Sequence, residues 1–179
     1  KNYSSKLNLC FVGRMEAAKG PELFIDALEA LQNNKEIGHI YFVGEGPEKE
    51  KYIEKSNALD CDITFTGSIK RHDLNKIYKI CHLIILPTSA SEGFPKVISE
   101  AMSFGCVPIV TNISSLSQYV NYKNGILIND IDKNELISKI NILLKNRSHL
   151  TKLGRSSSSD SKAFTYESYV RYVNLILSR

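Results

Sequence analysis

Two cations and two carboxylates stand out by their placement. Arg14 and Lys19 lie in Gly13-Arg14-Met15-Glu16-Ala17-Ala18-Lys19-Gly20, which leaves an apolar run and enters a helix at Pro21. Pro is favoured in a first helical turn, and Gly13 permits an unusual turn and close ligand approach. Arg14 and Lys19 thus gather where a diphosphate would be gripped. The blander reading is a polar loop with two solvated cations. The second group lies in Ser89-Ala90-Ser91-Glu92-Gly93-Phe94-Pro95-Lys96-Val97-Ile98-Ser99-Glu100-Ala101-Met102. Pro95 again marks a helix start. The first-turn amides, from about Lys96 onward, lack intrahelical acceptors and with the helix dipole form an anion site. Glu100 falls in the second turn among Val97, Ile98, Ala101 and Met102. A carboxylate buried there needs a partner, and a pair of ribose hydroxyls is a suitable one. Glu92 precedes the helix at the mouth of the same cleft. The alternative is that Glu100 is a helix-surface residue and Glu92 a loop residue.

Other short patterns carry less. Gly44-Glu45-Gly46-Pro47 opens like a dinucleotide fingerprint, but Lys49 stands where a third glycine belongs, so nicotinamide binding is not supported. Thr66-Gly67-Ser68-Ile69-Lys70 is a common type of strand-to-helix turn. Asp60 with Asp62, and Asp130 with Asp132, have the form of metal-holding pairs. The first precedes a strand, at the amino end of the sheet, and the second reads as a loop and helix cap, so both are taken as structural. His39, His72, His82 and His149 form no triad pattern with Ser, Cys or Asp. Cys10, Cys61, Cys81 and Cys106 contain no Cys-x-x-Cys pair and read as reduced, mostly buried core residues rather than zinc ligands.

These residues need a scaffold, and the hydropathy pattern supplies one. Strands are expected at Leu7 to Val12, Ile40 to Val43, Ile63 to Thr66, Leu83 to Leu86, Val107 to Val110 and Gly125 to Ile128. Helices are expected at Pro21 to Leu31, Pro47 to Asn57, Arg71 to Ile80, Pro95 to Phe104 and Asp132 to Lys145, the last capped by Asp132. The remainder reads as helical, split by Arg155-Ser156-Ser157-Ser158-Ser159, with a last helix from about Thr165 to Leu177. Continuous apolar strands alternating with helices give an α/β fold: a Rossmann-like, doubly wound parallel sheet of about six strands with helices on both faces. Ligands of such sheets bind at the carboxyl ends of the strands, which points to the loops near Gly13, Gly44, Gly67 and Thr88.

The chain has 179 residues, 42% hydrophobic and 23% charged, enough for one compact soluble domain. It begins at Lys1 without an initiator Met, which reads as a piece of a longer protein, although processing would look the same. No apolar run reaches the ~20 residues of a membrane span. The net charge of +4 is scattered, with no basic block and no aromatic-basic stripe, so nucleic acid is not expected as a partner.

Taken together, Glu92-Gly93-Phe94-Pro95 with Glu100-Ala101-Met102 and Gly105-Cys106-Val107-Pro108-Ile109-Val110 resembles the Glu-x7-Glu region of glycosyltransferase family 4. Gly13-Arg14 with Lys19-Gly20, Gly44-Glu45-Gly46-Pro47, Phe65-Thr66-Gly67 and Asn124-Gly125 fit the same family, from about Leu7 to Tyr172. The resemblance implies that residues 1–179 are the carboxy-terminal, donor-binding domain of a retaining GT-B enzyme that lacks its amino-terminal acceptor domain. It implies a hexose-type sugar donated by a nucleotide-diphosphate sugar, UDP- or GDP-linked, to a glycan or lipid-linked acceptor in polysaccharide or glycoconjugate synthesis. No cofactor or bound metal is implied. By the same analogy Arg14 and Lys19 bind the diphosphate, Glu100 holds the ribose and Glu92 contacts the transferred sugar. Backbone from Gly93 through Phe94, Pro95, Lys96 and Val97 meets sugar and phosphate, Gly13, Gly44 and Gly46 allow close approach, and Ser68, Ile69 and Lys70 frame the base. Pro95 stands where many relatives carry Gly, which removes one amide near the sugar. The isolated domain is expected to be inactive alone and cytoplasmic, with any peripheral membrane contact made through the missing half. A GT-B sugar epimerase and a non-catalytic nucleotide-binding module are the alternatives; the retained Arg14, Lys19, Glu92 and Glu100 weigh against both.

Overall fold

The computed structural model describes residues 1–91, 93 and 95–178. Its strands are β1 (Leu7–Val12), β2 (Ile37–Val43), β3 (Ile63–Gly67), β4 (Leu83–Leu86), β5 (Val107–Thr111) and β6 (Ile126–Ile128). Its helices are α1 (Pro21–Leu31), α2 (Lys49–Ser56), α3 (Arg71–Ile80), α4 (Lys96–Ser103), α5 (Leu116–Tyr119), α6 (Lys133–Lys145), α7 (Arg147–Asp160) and α8 (Tyr166–Leu177). The strands form one parallel sheet in the order β3-β2-β1-β4-β5-β6. The chain winds outward through β2 and β3, then returns past β1 to start β4 on its other side. β1 and β4 therefore flank the point where winding reverses, the place at which sheets of this kind bind their ligands.

Burial follows the sheet order. Every residue of β4 and β5 is buried, as expected of interior strands written as unbroken apolar runs. Edge strand β3 is mostly half-buried. Phe42 of β2 meets Phe11 of β1, Phe24 of α1 and Phe65 of β3, with ring centroids 4.7 to 5.9 Å apart. Helices cover both faces: α1 packs with α2 and α6, and α4 packs with α7. Asp132 caps α6 by accepting from the amides of Asn134 and Glu135, as its position predicts. Among the described residues no helix is long and apolar enough to cross a membrane.

Several boundaries shift by one to three residues from the sequence reading, β2 beginning at Ile37 and α2 at Lys49, and the largest difference lies near the carboxy terminus. The serine-rich stretch expected to split the terminal helices lies inside α7, which continues to Asp160. Serine is a mediocre helix former because its hydroxyl competes for backbone partners. Here tertiary contacts occupy the hydroxyl: buried Ser157 donates to the Cys106 carbonyl at 2.8 Å. The break comes later, at the 3-10 turn Ser161–Phe164, and Thr165 then caps α8 by accepting from the Ser168 amide. The short helix α5 was not anticipated; its four residues give too little periodicity to read.

Candidate functional site

At the carboxyl edge of the sheet, main-chain hydrogen bonds stitch neighbouring loops together. The Gly13 amide donates to Val43 (3.0 Å), Met15 to Glu45 (2.9 Å), and Glu48 back to Met15 (3.1 Å), which joins the loops after β1 and β2. The Gly44 amide donates to the Gly67 carbonyl at 2.9 Å, which adds the loop after β3. Across the switch point, the Ala18 carbonyl accepts from the amides of Ser89 (2.8 Å) and Ala90 (3.2 Å) and from the Thr88 hydroxyl (2.9 Å). The loop after β4 is thereby tied to the first loop.

Two glycines make this close packing possible. Gly20 adopts φ 78° and Gly44 φ 136°, both in the region side chains disfavour. A Cβ on Gly20 would strike the Pro87 backbone, and one on Gly44 the Gly13 carbonyl. Met15 is fully buried and anchors the first loop from beneath. The polar residues around it stay at the surface: Arg14 is two-thirds exposed, and its Nε lies 2.9 Å from Glu16 Oε2. That contact uses one guanidinium donor, and the Nη groups carry four more. Lys19 ends a short 3-10 turn, Ala17–Lys19, and is half-buried just ahead of α1.

The residues expected at the site divide as follows. Gly13, Arg14, Lys19, Gly44, Gly46 and Ser68 stand on the stitched loops, and Ile69 tucks against the core beside them. Gly93 is exposed, and Pro95 occupies the N-cap position of α4 rather than its first turn. Lys96 and Val97 open that helix, and by helix geometry their amides have no intrahelical acceptor. Glu92 and Phe94 lie outside the described residues. Glu100 is 28% exposed rather than buried, and Arg71 Nη2, at the start of α3, lies 3.8 Å from its Oε1. The premise of a lone buried carboxylate is therefore corrected: Glu100 faces a cavity of about 450 Å³, whose lining also includes Arg71, Lys96 and Ser99. Arg71 is a residue the sequence reading missed, although its position opening a helix at a strand's carboxyl end was a usable signal. The Ala18 carbonyl could not have been found, because a backbone acceptor leaves no trace in residue type.

Two features lie elsewhere. A cavity of about 470 Å³ opens at the amino end of the sheet and is lined by residues including Leu31, Gln32, His39, Asp60 and Asp62. Beside it His39 sits between Asp62 (Nδ1 to Oδ2, 2.7 Å) and Thr64 (Nε2 to Oγ1, 2.8 Å). The sequence, which shows no triad pattern around any histidine, carries no sign of this His39–Asp62 pair. The pairing comes from β2–β3 register, which sets Tyr41 opposite Thr64 and so brings His39 alongside. It lies at the opposite end of the strands from the loops. The cysteines are all free, with Cys10, Cys81 and Cys106 buried. Burial pushes the Cys106 thiol up to about 12, which keeps it protonated and unreactive.

Comparison with known proteins bears on the fold and the family. An uncharacterized glycosyltransferase of Haemophilus influenzae is 28% identical over 151 residues, covering 82% of this chain and 42% of the relative. The chain thus spans less than half the length of that relative. Among solved structures, Anabaena Alr3699/HepE in complex with UDP and glucose superposes with TM-score 0.81 at 20% identity, over 98% of this chain and 49% of that one. The C-terminal domain of the glycosyl transferase group 1 family protein LpcC from Francisella tularensis gives TM-score 0.78 at 21% identity, over 89% and 86%. These likenesses establish the fold as that of GT-B glycosyltransferase domains. A family model, glycosyl transferases group 1, matches residues 1–160, which hold all six strands and the helices through α7, and the chain belongs to that family.

Proposed function

We propose that this chain is the carboxy-terminal, donor-binding half of a retaining family 4 glycosyltransferase, which moves a hexose-type sugar from a UDP- or GDP-sugar to a glycan or lipid-linked acceptor. The observation that carries the reading is the tie through the Ala18 carbonyl. It holds the loop bearing Arg14 and Lys19 against the loop leading into α4, so cations and a helix amino terminus border one crevice. In that crevice Arg14 and Lys19 grip the diphosphate and offset the charge that builds on it as the sugar departs. The first amides of α4, at Lys96 and Val97, face the same charge with the positive end of the helix dipole. Glu100 accepts from the ribose hydroxyls, Glu92 contacts the sugar, and the Ser68-Ile69-Lys70 turn frames the base. Catalysis is then positioning plus electrostatic stabilisation of the leaving group, without a bound metal or cofactor.

The Anabaena neighbour was crystallised with UDP and glucose, which supports a nucleotide-sugar donor here. A partner domain on the amino-terminal side would supply the acceptor pocket, and the extra length of the Haemophilus relative supports that division. The setting that fits this chemistry is cytoplasmic, with membrane contact, if made, through the partner half.

Thermal melting against UDP, GDP and ADP and their sugar conjugates, first without metal and then with magnesium, tests the reading. A ligand at ~100 times its Kd should raise the melting point by roughly 5–10 °C by mass action. A metal-independent rise with one nucleotide identifies the donor class. No rise with any nucleotide, repeated with the amino-terminal half attached, sinks the proposal.

A further inference from the structure

The loops after β2 and β3 are joined by more than one main-chain bond. Glu45, in the β2 loop, lays its carboxylate directly against Gly67: a Cβ built there would collide with Glu45 Oε1. Lys49, in the first turn of α2, pairs with the same oxygen at 2.9 Å. Its side chain is only 20% exposed, so the cation is largely held in place while the carboxylate, 55% exposed, lies over the turn. Lys49, as the largest cause, holds the Glu45 carboxyl below its usual range. Beneath them the Gly44 amide binds the Gly67 carbonyl at 2.9 Å. Gly67 is thus gripped on its carbonyl by the β2 loop backbone and overlaid by that loop's side chain. The turn has φ 67° at Gly67, a conformation that two such restraints select from glycine's wide range.

We propose that Glu45, braced by Lys49, is a positioning residue that fixes the Gly67-Ser68 turn and thereby sets which nucleobase the site accepts. This inference rests on the donor-site reading above, in which that turn frames the base. A base is selected by hydrogen bonds and contacts at its edge, and such discrimination decays quickly once the groups that make it can move. Diphosphate affinity resides on the neighbouring loop after β1, at Arg14 and Lys19; that loop holds to the β2 loop through main-chain bonds of Met15, Glu45 and Glu48, which a side-chain change at Glu45 leaves in place. Latch and phosphate grip are therefore separable by experiment.

Two measurements on the same variants distinguish failure of the latch from failure of the donor reading. Hydrogen exchange of the free protein reports the turn without any nucleotide. Glu45→Ala should speed exchange at the Gly44 amide, which donates to the Gly67 carbonyl, at least tenfold while leaving Met15 and Gly13 unchanged, and Glu45→Gln, whose carboxamide still lies over Gly67, should largely restore protection. Unchanged exchange in Glu45→Ala overturns the latch whatever binds. Calorimetric titration with UDP, GDP and ADP then reports base choice. Glu45→Ala should narrow the preference of the wild-type protein for its best base by about tenfold, with inorganic pyrophosphate competing as well as before. A latch seen by exchange but base preference unchanged overturns the specificity role alone. A latch seen by exchange in a wild-type protein that binds no nucleotide, with its partner half attached, overturns the donor reading and the specificity role together.

Discussion

The two ends of the sheet make opposite use of the same strands. At the amino end a cavity of about 470 Å³ is walled by side chains, and its contacts run between side chains, His39 with Asp62 and Thr64, or between backbone and side chain, the Asp60 amide donating to Gln32 Oε1. At the carboxyl end the loops hold one another through amides and carbonyls, with glycines at the points of closest approach. Because backbone groups do most of the holding there, Arg14 can stay two-thirds exposed on a loop that is itself tied down. An edge built from side chains spends them on holding the strands.

The largest effect should come from attacking the backbone stitching. Gly44→Ala places a Cβ against the Gly13 carbonyl at a φ of 136°, and urea unfolding should show a loss of at least about 2 kcal/mol. A variant as stable as wild type would mean the loops can part without cost. Next is the phosphate grip. Arg14→Ala removes an exposed side chain, so melting should hardly change, whereas nucleoside-diphosphate affinity should fall more than tenfold and nucleoside affinity little. Equal losses for both ligands would remove Arg14 from the phosphate. Glu100→Ala should cost about tenfold in affinity for a ribonucleoside diphosphate and almost nothing for the 2′,3′-dideoxy analogue. If calorimetry gives the same Kd for wild type and variant, Glu100 does not hold the ribose.

The smallest effect belongs to the amino end and concerns pH. His82, just before β4, accepts from the Asn8 amide through Nδ1 (2.9 Å) and donates from Nε2 to the Asn2 carbonyl (2.8 Å), a pattern only the neutral ring can make. Burial, the largest cause, lowers its pKa below the ordinary 6.5. The unfolded chain then binds the proton more readily than the folded one. Stability from this group is present above about pH 6.5 and is lost as pH falls from there through the lower folded value. Urea midpoints should drop between pH 7.5 and 5.5 by an amount worth under about 1 kcal/mol, and His82→Asn should flatten that slope. A slope that survives the substitution assigns it to another group.

Much of the scaffold was legible because each element is encoded locally. The bounds of β1, α1, α3 and β4 agree with the hydropathy pattern residue for residue, since apolar runs and helical spacing with Pro21 at one start leave little freedom. The candidate loops were legible for a related reason: once the fold is a doubly wound sheet, position along the chain dictates which loops share an edge. The serine stretch in α7 was misread because Ser157 meets its partner, the Cys106 carbonyl, fifty-one residues away. Glu100 was read as needing a hydroxyl partner because Arg71 lies on another helix and nothing local announces it.

The sequence by itself determined the element order, the parallel sheet and the identity of the chemically able side chains, because period, capping and turn chemistry act over a few residues. Tertiary structure alone decided which carbonyl would gather the first and fourth loops, which cation would face Glu100, and that His39 would stand between Asp62 and Thr64. Those outcomes depend on strand register and on the direction of backbone groups, and both are set by packing between segments distant in the chain.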